Sequence, residues 1–180
     1  MNDVFLIKWY GPIPKEEVEE WEANSTDSFN LYLIYGKKKK CKKNLHYYVG
    51  EATKQTVGKR FKNANHHIND FSEIKEIWIG TIDNIEPEER EIRLIEKMLT
   101  SYLCYTDEVG EKSLLNQTNK YAPRNPVYLI NRWFKSSNRT EWKRHKAGSP
   151  AMIIADVIAY KLDKNNQCVL FEAKRLKRKW

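Results

Sequence analysis

An α+β fold, with a small mixed or antiparallel sheet flanked by helices, is predicted by three observations. Short β-prone runs such as "VFLIKWY", "FNLYLIYG" and "IKEIWIGTI" recur along the chain, bounded by turn residues. One segment, "EPEEREIRLIEKMLTSYL", carries apolar residues at helical spacing. The 180 residues are 41% hydrophobic and 12% aromatic, enough to bury a core in one domain or one domain with an appendage.

Each element has its own signal. Val4 to Tyr10 reads as a strand, ended by "GPIP". Pro14 to Ala23 reads as a helix, with Pro near its start and Glu in its first turns. After the loop "NSTDS", Phe29 to Gly36 and Leu45 to Gly50 form two strands with a lysine run as their connection. Thr53 to His67 is expected to be helical, and Ile74 to Ile82 alternates as a strand does. Glu86 to Leu103 is the clearest helix. Pro87 suits its first turn, and Ile92, Ile95, Leu99 and Leu103 fall on one face. Val127 to Phe134 is a strand, Lys135 to Pro150 a polar loop or short helix. Ala151 to Leu162 and Cys168 to Leu176 are strands joined through "DKNNQ". The order is β-α-β-β-α-β-α followed by a mostly β, basic extension. It divides the chain into an N-terminal strand–helix extension packed on the core (1–28), a core (29–118) and a basic C-terminal extension (119–180).

Composition narrows the class. No apolar run approaches the ~20 residues of a membrane span. The N-terminus lacks a basic leader, and its apolar run is broken by Lys8. Cys41, Cys104 and Cys168 are far apart and odd in number, which suits a reducing, cytoplasmic (intracellular) setting. The net charge of +8 is uneven: Asn119 to Trp180 holds 15 Lys and Arg against 4 Asp and Glu, a net +11, and the rest is −3. A polyanion, most simply nucleic acid, is the expected partner. The stretch "NRWFKSSNRTEWKRHK" interleaves Trp133, Phe134 and Trp142 with Arg132, Arg139, Lys143 and Arg144, a pattern suited to phosphate contact with stacking. The competing reading is an ordinary loop whose aromatics pack on the core. Lys38 and Lys40 of the lysine run are further candidates for phosphate contact.

The middle of the chain holds a set of reactive side chains. Tyr32 and Tyr48 lie on adjacent antiparallel strands, and strands ~5 Å apart can place two phenols on one face. Arg60 follows on the next helix, with His66 and His67 near its end. Glu96 sits beside the apolar stripe of the long helix, and Asn116 follows an apolar pair. Singly, each has an ordinary structural role. Together they suit phosphodiester hydrolysis: a carboxylate can hold one Mg²⁺ that keeps its waters, and Arg can meet charge building on phosphate.

In order, "NLYLI", "YYVGEA", "GKRF", His66 and His67, "IEKML" and "LLN" resemble the GIY-YIG nuclease family over about Phe29 to Asn116, roughly half the chain. The resemblance matches Tyr32 to the Tyr of the first half-motif and Tyr48, Val49 and Gly50 to the second. Arg60 matches the catalytic Arg, Glu96 the metal ligand and Asn116 the late Asn that closes the core. Three departures stand out. Asn30 replaces the Gly of the first half-motif. Arg60 comes a little later after "YVG" than in many members. The family's His often lies four residues after the Arg, where this chain has Ala64, leaving His66 and His67 nearest and His46 ahead of the second motif.

What the resemblance implies is a metal-dependent DNA endonuclease using one Mg²⁺ (or Mn²⁺), acting on double-stranded DNA and leaving 5′-phosphate and 3′-hydroxyl ends. Tyr32 would be the base and Tyr48 its support, with Glu51 and Glu91 as fallback ligands. A restriction or phage-defence role, and a homodimer to cut both strands, go with that reading. The alternative is a DNA-binding module with a nuclease fold and little or no catalysis.

Overall fold

The computed structural model describes residues 3–39, 41–123, 125–142 and 149–175, apart from the side chains of Lys42 and Lys43. The chain is α+β and mostly β. Its strands are β1 (Asp3–Gly11), β2 (Leu31–Lys38), β3 (Cys41–Glu51), β4 (Phe71–Ile82), β5 (Val127–Lys135), β6 (Val157–Leu162) and β7 (Cys168–Ala173). They form one sheet in the order β3-β2-β4-β1-β5-β6-β7. Only the β1–β5 pair is parallel, so the sheet is mixed. The helices are short apart from one: α1 (Val18–Ala23), α2 (Val57–Phe61), α3 (Glu89–Tyr105), α4 (Gly110–Ser113) and α5 (Pro150–Ile153). No helix among the described residues is long and apolar enough to cross a membrane.

Period-two alternation sorts the strand residues onto two faces. Phe5, Ile7 and Trp9 of β1 join Leu31, Leu33, Tyr35, Tyr47 and Val49 under α3, which buries Ile92, Ile95, Leu99 and Leu103 there. Tyr32, Ile34 and Tyr48 turn to the other face, where Val18 of α1 and Val57 and Phe61 of α2 cover them. Helix α3 begins with a reciprocal capping box between Glu88 and Glu91.

The N-terminal strand lies inside the sheet, between β4 and β5, and β5 to β7 continue the same sheet. Four local expectations are corrected. The lysine run is not a long connection: β2 runs through Lys38, β3 starts at Cys41, and Lys38 pairs with Cys41. The helix expected over Thr53 to His67 shrinks to α2 and a separate 3-10 turn at His67–Asp70. The helix expected from Pro14 splits into a 3-10 turn at Lys15–Glu17 and α1. The strand expected from Ala151 opens instead as α5, with Pro150 in its first turn, and only Val157 onward is β.

Candidate active site

Tyr32 and Gly50 are directly opposed across the β2–β3 pair. A Cβ on Gly50 would lie 2.1 Å from Cζ and 2.2 Å from the hydroxyl oxygen of Tyr32. The Tyr32 ring therefore lies flat over the glycine, in space that any side chain at position 50 would fill. The Tyr48 ring stands 6.1 Å away on the same face. Sequence alternation alone places these two phenols together; the glycine lets one lie down.

Two nitrogens meet the Tyr32 oxygen. Arg60 Nε donates to it at 3.1 Å, and His66 Nε2 lies 2.7 Å away. Burial, followed by the charge of Arg60, pushes the His66 imidazole down to about 4, so the ring is neutral near pH 7. The backbone N–H of Ile68 donates to His66 Nδ1 at 3.0 Å. That nitrogen is thus the acceptor, the ring proton sits on Nε2, and His66 donates to Tyr32. An oxygen receiving two N–H donors must send its own proton elsewhere. The remaining neighbour is Tyr48, whose contact with Tyr32 raises Tyr32 and lowers Tyr48. Burial, then the Tyr48 phenol, pushes the Tyr32 hydroxyl well above its ordinary range. Burial and the Glu96 carboxylate raise Tyr48 as well.

Arg60 owes its position to the N-terminal segment. The two carboxylate oxygens of buried Glu22 accept from the backbone N–H of Val57 (2.9 Å) and Gly58 (2.6 Å), the first residues of α2. A Cβ on Gly58 would lie 2.6 Å from Cα of Glu19, so α1 and α2 touch backbone to backbone. No local pattern points to Glu22, because it stands 35 residues ahead of the helix it caps.

The carboxylates gather at the end of β3. Glu51 and Glu96 line one cleft of about 550 Å³, together with Arg90, Arg93, Lys97 and Asn119. Asn119 Nδ2 donates to Glu96 Oε2 at 3.3 Å, and Arg60 lies 3.8 Å from Glu51 Oε1. Burial, then the Glu51 charge, pushes the Glu96 carboxyl up to about 7. A carboxyl whose ionisation is opposed by burial and a neighbouring carboxylate is relieved by a cation beside it. Among the described residues no group of three or more His, Cys, Asp or Glu is arranged to hold a metal. One or two carboxylates with the remaining positions left to water and phosphate is the coordination that suits Mg²⁺, and Glu96 with Glu51 fits it. Glu91 instead serves the capping box, accepting from the Glu88 N–H at 2.6 Å.

Asn116 closes the outer edge of β3. Its Oδ1 accepts from Val49 N–H (3.0 Å) and its Nδ2 donates to Val49 C=O (2.8 Å). Replacing it with Ala would leave both buried groups unpaired. Asn116→Ala is expected to cost about 1–3 kcal/mol in stability, read by urea unfolding; a loss within error of zero would show that water replaces the amide.

The remaining expected residues lie elsewhere. His67 is exposed and pairs with Asp70 at 2.9 Å; its ring reaches Tyr48 at 5.0 Å but not Tyr32. His46 is buried near the middle of β3, with Nδ1 3.1 Å from the Asn44 carbonyl. Lys38 lies six residues along β2 from Tyr32, about 20 Å away at strand rise. Trp133 is a correction: it is 2% exposed, stacked on Trp9 and edge-on to Trp78, so it is core and offers no face to a base. Arg132 pairs with Glu141 at 3.3 Å and lies over Phe134. Arg139 pairs with Asp27 at 3.4 Å and lies over Trp21 and Tyr10. Lys40, Lys143 and Arg144 fall outside the described residues. Scans against protein-family models, curated proteins and solved structures found no match. Function is argued from the site itself.

Proposed function

We propose that this chain is a metal-dependent DNA endonuclease of the GIY-YIG kind. The observation that carries the reading is the Tyr32 oxygen, held between the N–H donors of Arg60 and His66 and set beside Tyr48, with Glu51 and Glu96 at the same strand end. Donors aimed at one oxygen stabilise negative charge on it, which is what a phenol needs to act as a base. The Tyr32 proton passes to Tyr48 as Tyr48 releases its own to solvent, and the Tyr32 phenolate so formed takes the proton of the attacking water. Arg60, its Nη2 3.8 Å from Glu51 Oε1, meets the charge that builds on the phosphate. Glu96 and Glu51 would hold the Mg²⁺ ion, which would supply positive charge near the phosphate and lower the cost of ionising water.

Supercoiled plasmid incubated with Mg²⁺ or with EDTA tests this directly. Wild-type protein should nick or linearise it only with Mg²⁺, and Glu96→Ala should not. DNA binding without cutting by the wild type would assign a binding module instead. An uncut plasmid with no binding would remove both readings.

Proton and metal compete at Glu96. With its carboxyl at about 7, roughly half the metal-free protein carries a proton there near neutral pH. The sign follows: apparent Mg²⁺ affinity rises by up to about tenfold per unit as pH climbs to about 7, then levels. Without the ion, the same raised carboxyl makes the fold lose stability as pH rises from the ordinary 4.5 to about 7. Glu51→Gln removes the neighbouring charge and should move the midpoint of the Mg²⁺ titration to lower pH. A Mg²⁺ half-saturation that is flat from about pH 5.5 to about pH 8.5 would contradict the proton competition.

A further inference from the structure

Of the cations first expected to meet nucleic acid, two of the described ones are already engaged. Arg132 and Arg139 each have a carboxylate partner and an aromatic ring beneath them. Helix α3 shows the opposite. Arg90, Arg93 and Lys97 stand at positions i, i+3 and i+7 and line the same cleft as Glu51 and Glu96. Arg93 is paired with Glu89, one turn back on the helix. Neither Arg90 nor Lys97 forms an ion pair with any described residue. Among the described residues both are cations with no carboxylate in ion-pair contact, in the cleft that Glu51 and Glu96 also line.

We infer that the outer face of α3 is the track of the DNA backbone into the site, with Arg90 and Lys97 contacting phosphates that flank the one being cut. This deepens the nuclease reading by naming the surface that delivers the substrate. Seven residues of helix span about 10 Å, against about 3.4 Å of rise per nucleotide in one strand, so the stripe covers about three phosphates. The Asn119 and Asn125 amides across the cleft offer neutral donors to the same backbone. At the opposite end, Lys15 lines a groove with Ile68 and Asn69, next to His66, and its charge adds to holding that imidazole neutral. The Tyr32 site thus lies between two cationic margins. The cations of both clefts attract a phosphodiester toward the pair of carboxylates proposed to hold the metal.

Binding separates this inference from the chemistry. Duplex DNA of about 30 base pairs is titrated in EDTA against the Glu96→Ala protein, alone and combined with R90Q/K97Q or with K161Q/K164Q, which removes the same charge at the far β6–β7 edge of the sheet. Each lost phosphate contact flattens the slope of log K against log salt by about 0.9, so R90Q/K97Q should flatten it by about 2 and K161Q/K164Q by much less. Circular dichroism melts confirm that both variants fold. Equal changes in the two variants, or none in R90Q/K97Q, overturn the track, as does binding by an RNA duplex but not by DNA. Plasmid cutting is scored separately on the otherwise wild-type chain. A flattened slope in R90Q/K97Q with no cutting would leave the track standing and the nuclease reading failed.

Discussion

Tyr32→Phe is expected to lower plasmid cleavage by about 10²–10⁴, the range a positioned general base contributes, while leaving DNA binding within about twofold. The hydroxyl belongs to a buried side chain and is held by Arg60 and His66 beside Tyr48 in the protein without substrate. Losing it leaves two N–H groups aimed at a hydrogen. The cost in stability is about 1–3 kcal/mol, because the His66 N–H loses its acceptor while Arg60 keeps Glu51 nearby. Tyr48→Phe tests the division of labour. If Tyr48 only relays the proton, its loss should cost less than the loss of Tyr32; a larger loss would make Tyr48 the base. Wild-type rates in both variants would remove the tyrosines from the chemistry. The pH profile adds an independent sign: with both phenols raised above their ordinary range, cleavage by the wild type should keep increasing above neutral pH.

Gly50→Ala is expected to be as damaging to cleavage as the loss of the Tyr32 hydroxyl, through geometry alone. The new methyl would sit 2.1 Å from a ring carbon and 2.2 Å from the oxygen of Tyr32, well inside contact distance. The ring cannot move freely, since Phe61 packs edge-on at 5.1 Å and His66 lies at 5.5 Å. Overpacking of this kind costs about 1–3 kcal/mol, and the oxygen leaves its two donors. A double-mutant cycle identifies the cause. In a Tyr32→Ala background the clash is gone, so Gly50→Ala should cost markedly less stability there than in the wild type. Equal costs in the two backgrounds would show that the glycine serves the strand backbone rather than the ring.

Much of this chain could be read locally. The alternation of β2 and β3 puts Tyr32 and Tyr48 on one face, and the apolar spacing of α3 leaves Glu96 at the border of the buried stripe. Arg60 falls on a short helix just after the hairpin. These follow from periods of 2 and 3.6 residues, which any stretch of about ten residues displays. The choice between His66 and His67 did not: a 3-10 turn begins between them, and the Ile68 N–H fixes the tautomer of His66.

Aromatics among basic residues around Trp133 looked like a stacking surface. Beside Trp9 and Trp78, Trp133 is core, because β5 pairs with β1, and that pairing joins residues more than 120 positions apart. The same pairing lets Trp9 Nε1 donate to Asn131 Oδ1 at 2.9 Å, a bond 122 residues apart in sequence.

The sequence by itself determined which side chains were available and which faces of their own strands and helices they occupy. Which of them meet depends on the assembled fold: Glu22 with α2, Glu51 with Glu96, His66 with Tyr32, and Arg90 and Lys97 in ion-pair contact with no carboxylate among the described residues. The physical reason is range. A residue's orientation is fixed by neighbours within one turn or one pleat, whereas its partners depend on the order of strands in a sheet, and that order is settled by burial of the whole chain.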